Sequence, residues 1–515
     1  MNRAALPVVL AALALALPPA AAAPVPAAPR VTLSVEVSEP ASLFNLVDRL
    51  ADWRDDDDVP PERYRALWEQ AAGPLSAEDT AALDAWRALR RRYRGVPDGA
   101  PSGVVATHAG SGLPFPVRLP TDRLEDRLAL VFLAARDWDD LALRSAVLRP
   151  PDRKSLGRAV DHFRRRLGPV LRRSLHLEAY AARIRSWQQR RPVAPFLDRL
   201  ARFLHAPDGP PLEFVLHPVW LAPDATETRA TVVDDHAALE VREGLGLRGV
   251  VDVGVHELVH RLEERMPRDV RLRLEQAFLS APEAEVDGTF AVAAANLWQE
   301  GLATALGQGL AAEQLFPEDF SRERAWYQDP GYDGFAKLLY LVAAPYLAEG
   351  RPMDEAFVHA VVRLYAGSFD SALPAPGDVL RRCVVLGDDP AARAAVRAAI
   401  EAAAPPRVLL DYPLADALAA RETAARRALA TFPAMPVVIV ARDAEVARLP
   451  ALPLVPRLDP AALERPVATV RRPRAGPVFV ATGPDGAAAA AAFARFLAQS
   501  SPPRPPAPPE PPAGP

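Results

Sequence analysis

Leu247-Arg248-Gly249-Val250-Val251-Asp252-Val253-Gly254-Val255-His256-Glu257-Leu258-Val259-His260-Arg261-Leu262 is the stretch on which the fold turns. Apolar residues at Val251, Val255, Leu258, Val259 and Leu262 recur at helical spacing, and Gly244 and Gly246 punctuate a turn before the run. Histidines four apart on a helix share one face, so His256 and His260 can reach a single ion at ~2.0–2.1 Å. The chain has nine histidines in 515 residues, which makes a chance pair with this spacing rare. The alternative is that both are ordinary polar positions on an amphipathic helix.

A second segment, Leu297-Trp298-Gln299-Glu300-Gly301-Leu302-Ala303-Thr304, offers the third ligand. Two imidazoles and one carboxylate leave a fourth tetrahedral position open for water, as in a catalytic zinc site. A closed thiolate site is excluded, because Cys383 is the only cysteine. One zinc ion per chain is the expected cofactor.

Together, the motif His256-Glu257-Leu258-Val259-His260 and the distal Glu300 resemble the gluzincin zinc metallopeptidases. The Glu300 segment is similar to the third-ligand helix of the aminopeptidase branch, where an Asn-Glu-Gly-Phe-Ala-Thr string is typical. The resemblance implies His256, His260 and Glu300 as metal ligands, Glu257 as general base and a zincin-like catalytic domain. It rests on two short motifs, and architecturally on 212–401. Three features depart from the branch. The 39 residues between His260 and Glu300 are a longer separation, Gln299 stands where asparagine is usual, and there is no Gly-x-Met-Glu-Asn segment to bind a free amino terminus. The metal site is carried over and the exopeptidase specificity is not.

The chemistry follows from the residue types. Zinc lowers the pKa of its water from about 15.7 to about 7 and polarises a carbonyl. Glu257, rotated roughly 100° from His256 about the helix axis, suits proton transfer between water and leaving amine. For the oxyanion donor that a tetrahedral intermediate needs, Tyr332 in Pro330-Gly331-Tyr332-Asp333-Gly334-Phe335 is the first choice, since the resembling families place a tyrosine near such a turn; Tyr327, Tyr340 and Tyr346 compete. His236 either lines the cleft or is structural. Glu283, Glu285 and Asp287 are candidate carboxylate partners for the imidazoles, or simply loop and helix-cap residues. Thr304 is a candidate outer hydrogen-bonding group, or bonds back to its own helix.

Around this centre the predicted architecture is α+β and predominantly helical. Leu212 to Trp220 and Ala230 to Val241 read as strands, and helices follow at 332–349 and 354–365. Val31 to Ser38 alternates as a strand, and helical patterns then dominate to about Leu204, giving an α-rich amino-terminal domain over 31–205. The metallopeptidase domain, with a small mixed sheet, is expected over 206–404. Beyond it, Pro436 to Ala441 and Pro477 to Thr482 alternate with alanine-rich helices and read as a small α/β domain over 405–500. Gly483-Pro484-Asp485-Gly486 lacks a phosphate-loop pattern and reads as a cap and turn. Gly95 to Pro116 reads as a loop, and the tail 501–515 is proline-rich.

Arg3, the apolar run Ala4 to Leu17 and the small residues Ala20 to Ala23 fit a secretory signal over 1–23, so an exported, periplasmic or extracellular protein is expected, with no stable membrane span after cleavage. A net charge of −4, from 61 basic and 65 acidic residues, gives no pull toward nucleic acid. Asp55 to Asp58 and Arg90 to Arg94 read as solvated runs. The expected function is hydrolysis of a peptide or protein substrate. A catalytically silent binding or scaffold protein of the same fold, and a metal-dependent hydrolase of a non-peptide amide or ester, remain open alternatives.

Overall fold

A computed structural model describes residues 30–51, 61–93, 115, 126–173, 176–207, 209–220, 230–241, 246–369, 374–404, 408–452, 454 and 466–500. The signal, the Asp55 to Asp58 run, most of the Gly95 to Pro116 loop and the tail lie outside the described residues. The chain is predominantly helical, with two small mixed sheets.

The first sheet contains β1 (Val31–Val35), β2 (Leu212–Trp220), β3 (Ala230–Val233) and β4 (His236–Val241), in the order β1-β2-β4-β3. The expected single strand 230–241 is two strands. Asp234 takes a positive φ of 52°, which a short polar side chain tolerates, and the chain reverses there so that β3 runs antiparallel to β4. Arg261, next to His260, pairs with both Asp234 and Asp235, and so fixes this turn to the helix that carries the motif.

That helix spans Leu247–Arg265. Its Val251, Val255, Leu258 and Val259 share one core with Phe214, Leu216, Ala237 and Leu239 of the sheet. At Gly254 the two layers are so close that a Cβ would stand 2.6 Å from a Leu216 methyl. The absent side chain lets the helix settle onto β2 two residues before His256.

On the opposite sheet face, Val219, Val233 and Ala238 join a second core with Phe44, Trp68, Trp86, Phe132 and Phe163 from helices within 39–173. A buried ion pair spans the junction, with Arg49 Nη2 2.8 Å from Glu240 Oε1 of β4 and Asn45 donating to the same oxygen at 3.1 Å. The region 31–205 is therefore divided. β1 pairs in parallel with β2, and helices His176–Arg190 and Val193–Phe203 pack in the motif-helix core, while the preceding helices form a core of their own. Periodicity identifies β1 as a strand but carries no information about a partner that is so distant in sequence.

The second sheet contains β5 (Arg382–Gly387), β6 (Val408–Tyr412), β7 (Val437–Arg442), β8 (Val467–Arg472) and β9 (Ala475–Gly483), ordered β6-β5-β7-β9-β8, with only β8 antiparallel. Residues 383–386, 437–440 and 478–481 are buried throughout, as in parallel strands covered on both faces. Because β5 and helix Pro390–Ala403 belong to this unit, it starts before the expected residue 405. Its β8–β9 hairpin docks on the entry to the Glu300 helix, where Gly288 N donates to Arg472 O and Arg474 N to Ala284 O. No described helix is long and apolar enough to cross a membrane.

Candidate metal centre

Two helices build the centre. The motif helix presents His256 and His260 one turn apart, and the helix Thr289–Thr304 crosses it and presents Glu300. The Nε2 atoms of His256 and His260 lie 3.1 Å apart, and Glu300 Oε2 stands 3.5 Å from the first and 3.6 Å from the second. Tetrahedral zinc with bonds near 2.1 Å separates its ligand atoms by about 3.3–3.5 Å. The three atoms thus form a triangle of the size that one such ion requires, and the donor set, two imidazoles and a carboxylate, fits zinc. Among the described residues this is the only group of three or more histidine, cysteine or acidic side chains close enough to hold a metal.

The surroundings orient the imidazoles. His256 Nδ1 lies 3.2 Å from Gln308 Oε1; an amide oxygen only accepts, so Nδ1 carries the proton and Nε2 keeps its lone pair for the metal. His260 Nδ1 has Glu263 Oε2 at 3.7 Å. Burial pushes His260 down, but Glu263 and Glu300 outweigh it and lift the imidazole to about 10. Burial favours a neutral Glu300, yet hydrogen bonds and charge from His256 and His260 hold its carboxyl well below the ordinary range. Both shifts arise because the imidazoles and carboxylates face one another across the cluster.

Gln308 is the partner that sequence reasoning missed. It lies in a π-helical turn, Ala305–Ala311, that continues the Glu300 helix. On a regular α-helix a residue eight beyond Glu300 would point roughly 80° away from it; the wider π turn re-aims Gln308 at His256, and such turns recur at functional sites. Gly307 makes the crossing possible, since a Cβ there would stand 2.9 Å from His256 N. The two glycines flanking Gln308 were the available signal for close helix approach.

Other candidates lie elsewhere. Glu283 pairs with Arg363 and Glu285 with Arg474, and Asp287 accepts from Thr289 N and Oγ1 as a helix cap, so none of the three serves the imidazoles. Thr304 is fully buried, and its hydroxyl has no partner among the described residues. His236 sits on the sheet face away from the motif helix, its Nδ1 3.1 Å from His217 Nε2.

The tyrosines rearrange the expectation. The hydroxyl of Tyr327, not Tyr332, reaches the ligand cluster, 3.3 Å from Glu300 Oε2, and its ring lies nearly parallel to that of His256. Burial, then the charge of Glu300, pushes the Tyr327 phenol up, so it stays a protonated donor. Tyr332 is buried behind it, edge-on at 5.4 Å between ring centroids. Proximity in sequence to a Pro-Gly turn could not tell these two rings apart. Tyr340 bonds Glu313, and Tyr346 bonds Asp354. Glu257 is half-buried, and its carboxylate has no hydrogen-bond partner among the described residues, which leaves it available for proton transfer.

Scanned against family models, curated proteins and solved structures, the chain gives no match in any of the three.

Proposed function

We propose that this chain is an exported zinc-dependent peptidase with a zincin-like catalytic unit of the gluzincin kind. The observation that carries the reading is the convergence of His256 Nε2, His260 Nε2 and Glu300 Oε2 into a triangle of 3.1, 3.5 and 3.6 Å. His256, His260 and Glu300 would hold the zinc, which would supply Lewis-acid polarisation of a substrate carbonyl and acidify a water.

The remaining work falls to side chains. Glu257 takes the proton of the attacking water on its carboxylate and delivers it to the leaving nitrogen. Tyr327, protonated and placed at the cluster, takes the oxyanion-donor role that the sequence suggested for Tyr332. Gln308 keeps His256 in the tautomer that presents Nε2. A peptide substrate is favoured by β3, one of the two edge strands of the first sheet among the described strands, because an edge strand beside the motif helix offers backbone groups to an extended chain.

Zinc content and cleavage of a mixed peptide library test the reading, with Glu257→Gln run alongside. One zinc per chain is expected in both proteins, with turnover reduced at least ~100-fold in the variant. Stoichiometric zinc without cleavage by the native protein would instead favour a binding role or a non-peptide substrate, and absence of zinc would sink the proposal.

A further inference from the structure

Two consecutive arginines at the start of the second sheet reach the two helices beside the metal centre. Arg382 grips the Glu300 helix one turn below the ligand, donating from Nε to Asn296 Oδ1 at 2.7 Å and from Nη2 to Ala295 O at 2.6 Å. Arg381 grips the entry to the helix Pro330–Ala348. Its Nη2 donates to Asp329 Oδ2 at 2.8 Å and lies 3.4 Å from Asp378 Oδ1, and its guanidinium carbon stands 4.0 Å from the Tyr332 ring centroid. The side chain is almost fully buried, and its Nε has no partner among the described residues. Burying a cation carries a desolvation penalty that only well-placed partners offset, so the place of Arg381 is tied to those of Asp329 and Asp378.

The contacts lead toward the ligands. Asp329 uses one carboxylate oxygen for Arg381 and the other to cap the helix, accepting from Gly331 N and Tyr332 N. Tyr332, held between that cap and the guanidinium, packs edge-on against Tyr327, and Tyr327 meets Glu300. On the other side, Asp333 Oδ1 accepts from Trp326 N and Tyr327 N. The 326–333 segment is thus clasped at both ends, and Arg381 is the one clasp supplied by the second sheet.

We infer that Arg381 is a positioning residue of the metal centre: through Asp329 and Tyr332 it holds the Tyr327 hydroxyl on Glu300, making the carboxy-terminal α/β unit a working part of the site. The inference rests on the proposed zinc site for its functional meaning, but its physical content is the coupling of Arg381 to Tyr327.

The test is a double-mutant cycle on the full chain with Arg381→Met, Tyr327→Phe and the pair, with Arg381→Lys as the conservative control. Zinc affinity, read by competition with a chromophoric chelator, is expected to fall about tenfold or more in each single variant, to fall little further in the pair, and to recover substantially in Arg381→Lys, which keeps a cation against Asp329 and the Tyr332 ring. In peptide cleavage, Arg381→Met should lower kcat with little change in KM. Additive losses of zinc affinity would overturn the inference, as would an Arg381→Met protein that melts lower but binds zinc like the native chain. If the native chain binds no zinc, the functional proposal fails by itself. The inference is then decided by melting temperatures of the metal-free proteins, where shifts that fail to add support it and shifts that add refute it.

Discussion

His256 and His260 get their chemistry from spacing, and their usefulness from neighbours that spacing does not reveal. Without an acceptor at Nδ1, the His256 imidazole is free to flip or change tautomer, and Nε2 is no longer reserved for the metal. Gln308→Leu removes that acceptor while keeping similar bulk. It is expected to weaken zinc binding 10–100-fold with a smaller effect on the melting temperature, measured by chelator competition and thermal unfolding; unchanged affinity would show that Gln308 does not set the tautomer. The motif residues were legible because four-residue spacing is a local property of a helix. Gln308 was not, and Tyr327 stood only as one of four candidate tyrosines, because each reaches the cluster through a turn or crossing that brings distant residues together.

Elements act here through their closest approaches. The motif helix sits on β2 at Gly254 and against the π turn at Gly307, and those two contacts set where its ligand face points. Gly307→Ala places a methyl group against backbone atoms of Asp252 and His256 at 2.9 Å. Backbone cannot rotate aside as a side chain can, so the π turn and the motif helix must part. A loss of roughly 1–3 kcal/mol of stability is expected from overpacking of this kind, together with weakened zinc binding. Denaturant unfolding of the metal-free variant checks the first, and native stability there would mean that the crossing is looser than the contact implies. The same scale explains the unexpected strand break. Val232 and His236 belong to a single β-prone run, and the reversal between them depends on Asp234 adopting a positive φ and on Arg261 holding the turn, neither of which alters the hydrophobic pattern.

Across the whole molecule, the motif-helix sheet is shared between two cores, and its far face carries a buried imidazole. Burial, reinforced by the neighbouring His236, pushes His217 down to about 3. The unfolded chain takes up a proton near 6.5, which the folded chain refuses until far lower pH. Stability is therefore full above pH 6.5 and is lost as pH falls toward 3, by up to roughly 1.4 kcal/mol per unit. His217→Gln should flatten the fall in unfolding free energy measured between pH 7 and pH 5. An equally steep fall in the variant would assign acid sensitivity to other groups.

The sequence by itself brought out His256, His260 and Glu300 as a candidate ligand set, Cys383 as the only cysteine, and the predominance of helices around small sheets. These depend on residue type and short-range periodicity, which every chain displays before it folds. Only the tertiary structure decided that Val31–Val35 pairs with a strand some 180 residues later, that Tyr327 displaces Tyr332 at the cluster, and that Arg381 and Arg382 tie the second sheet to the helices beside the metal centre. Each of these is a contact between segments far apart in the chain. Such contacts are chosen by the competition among all the ways of burying the apolar faces at once, and no local window of sequence contains that competition.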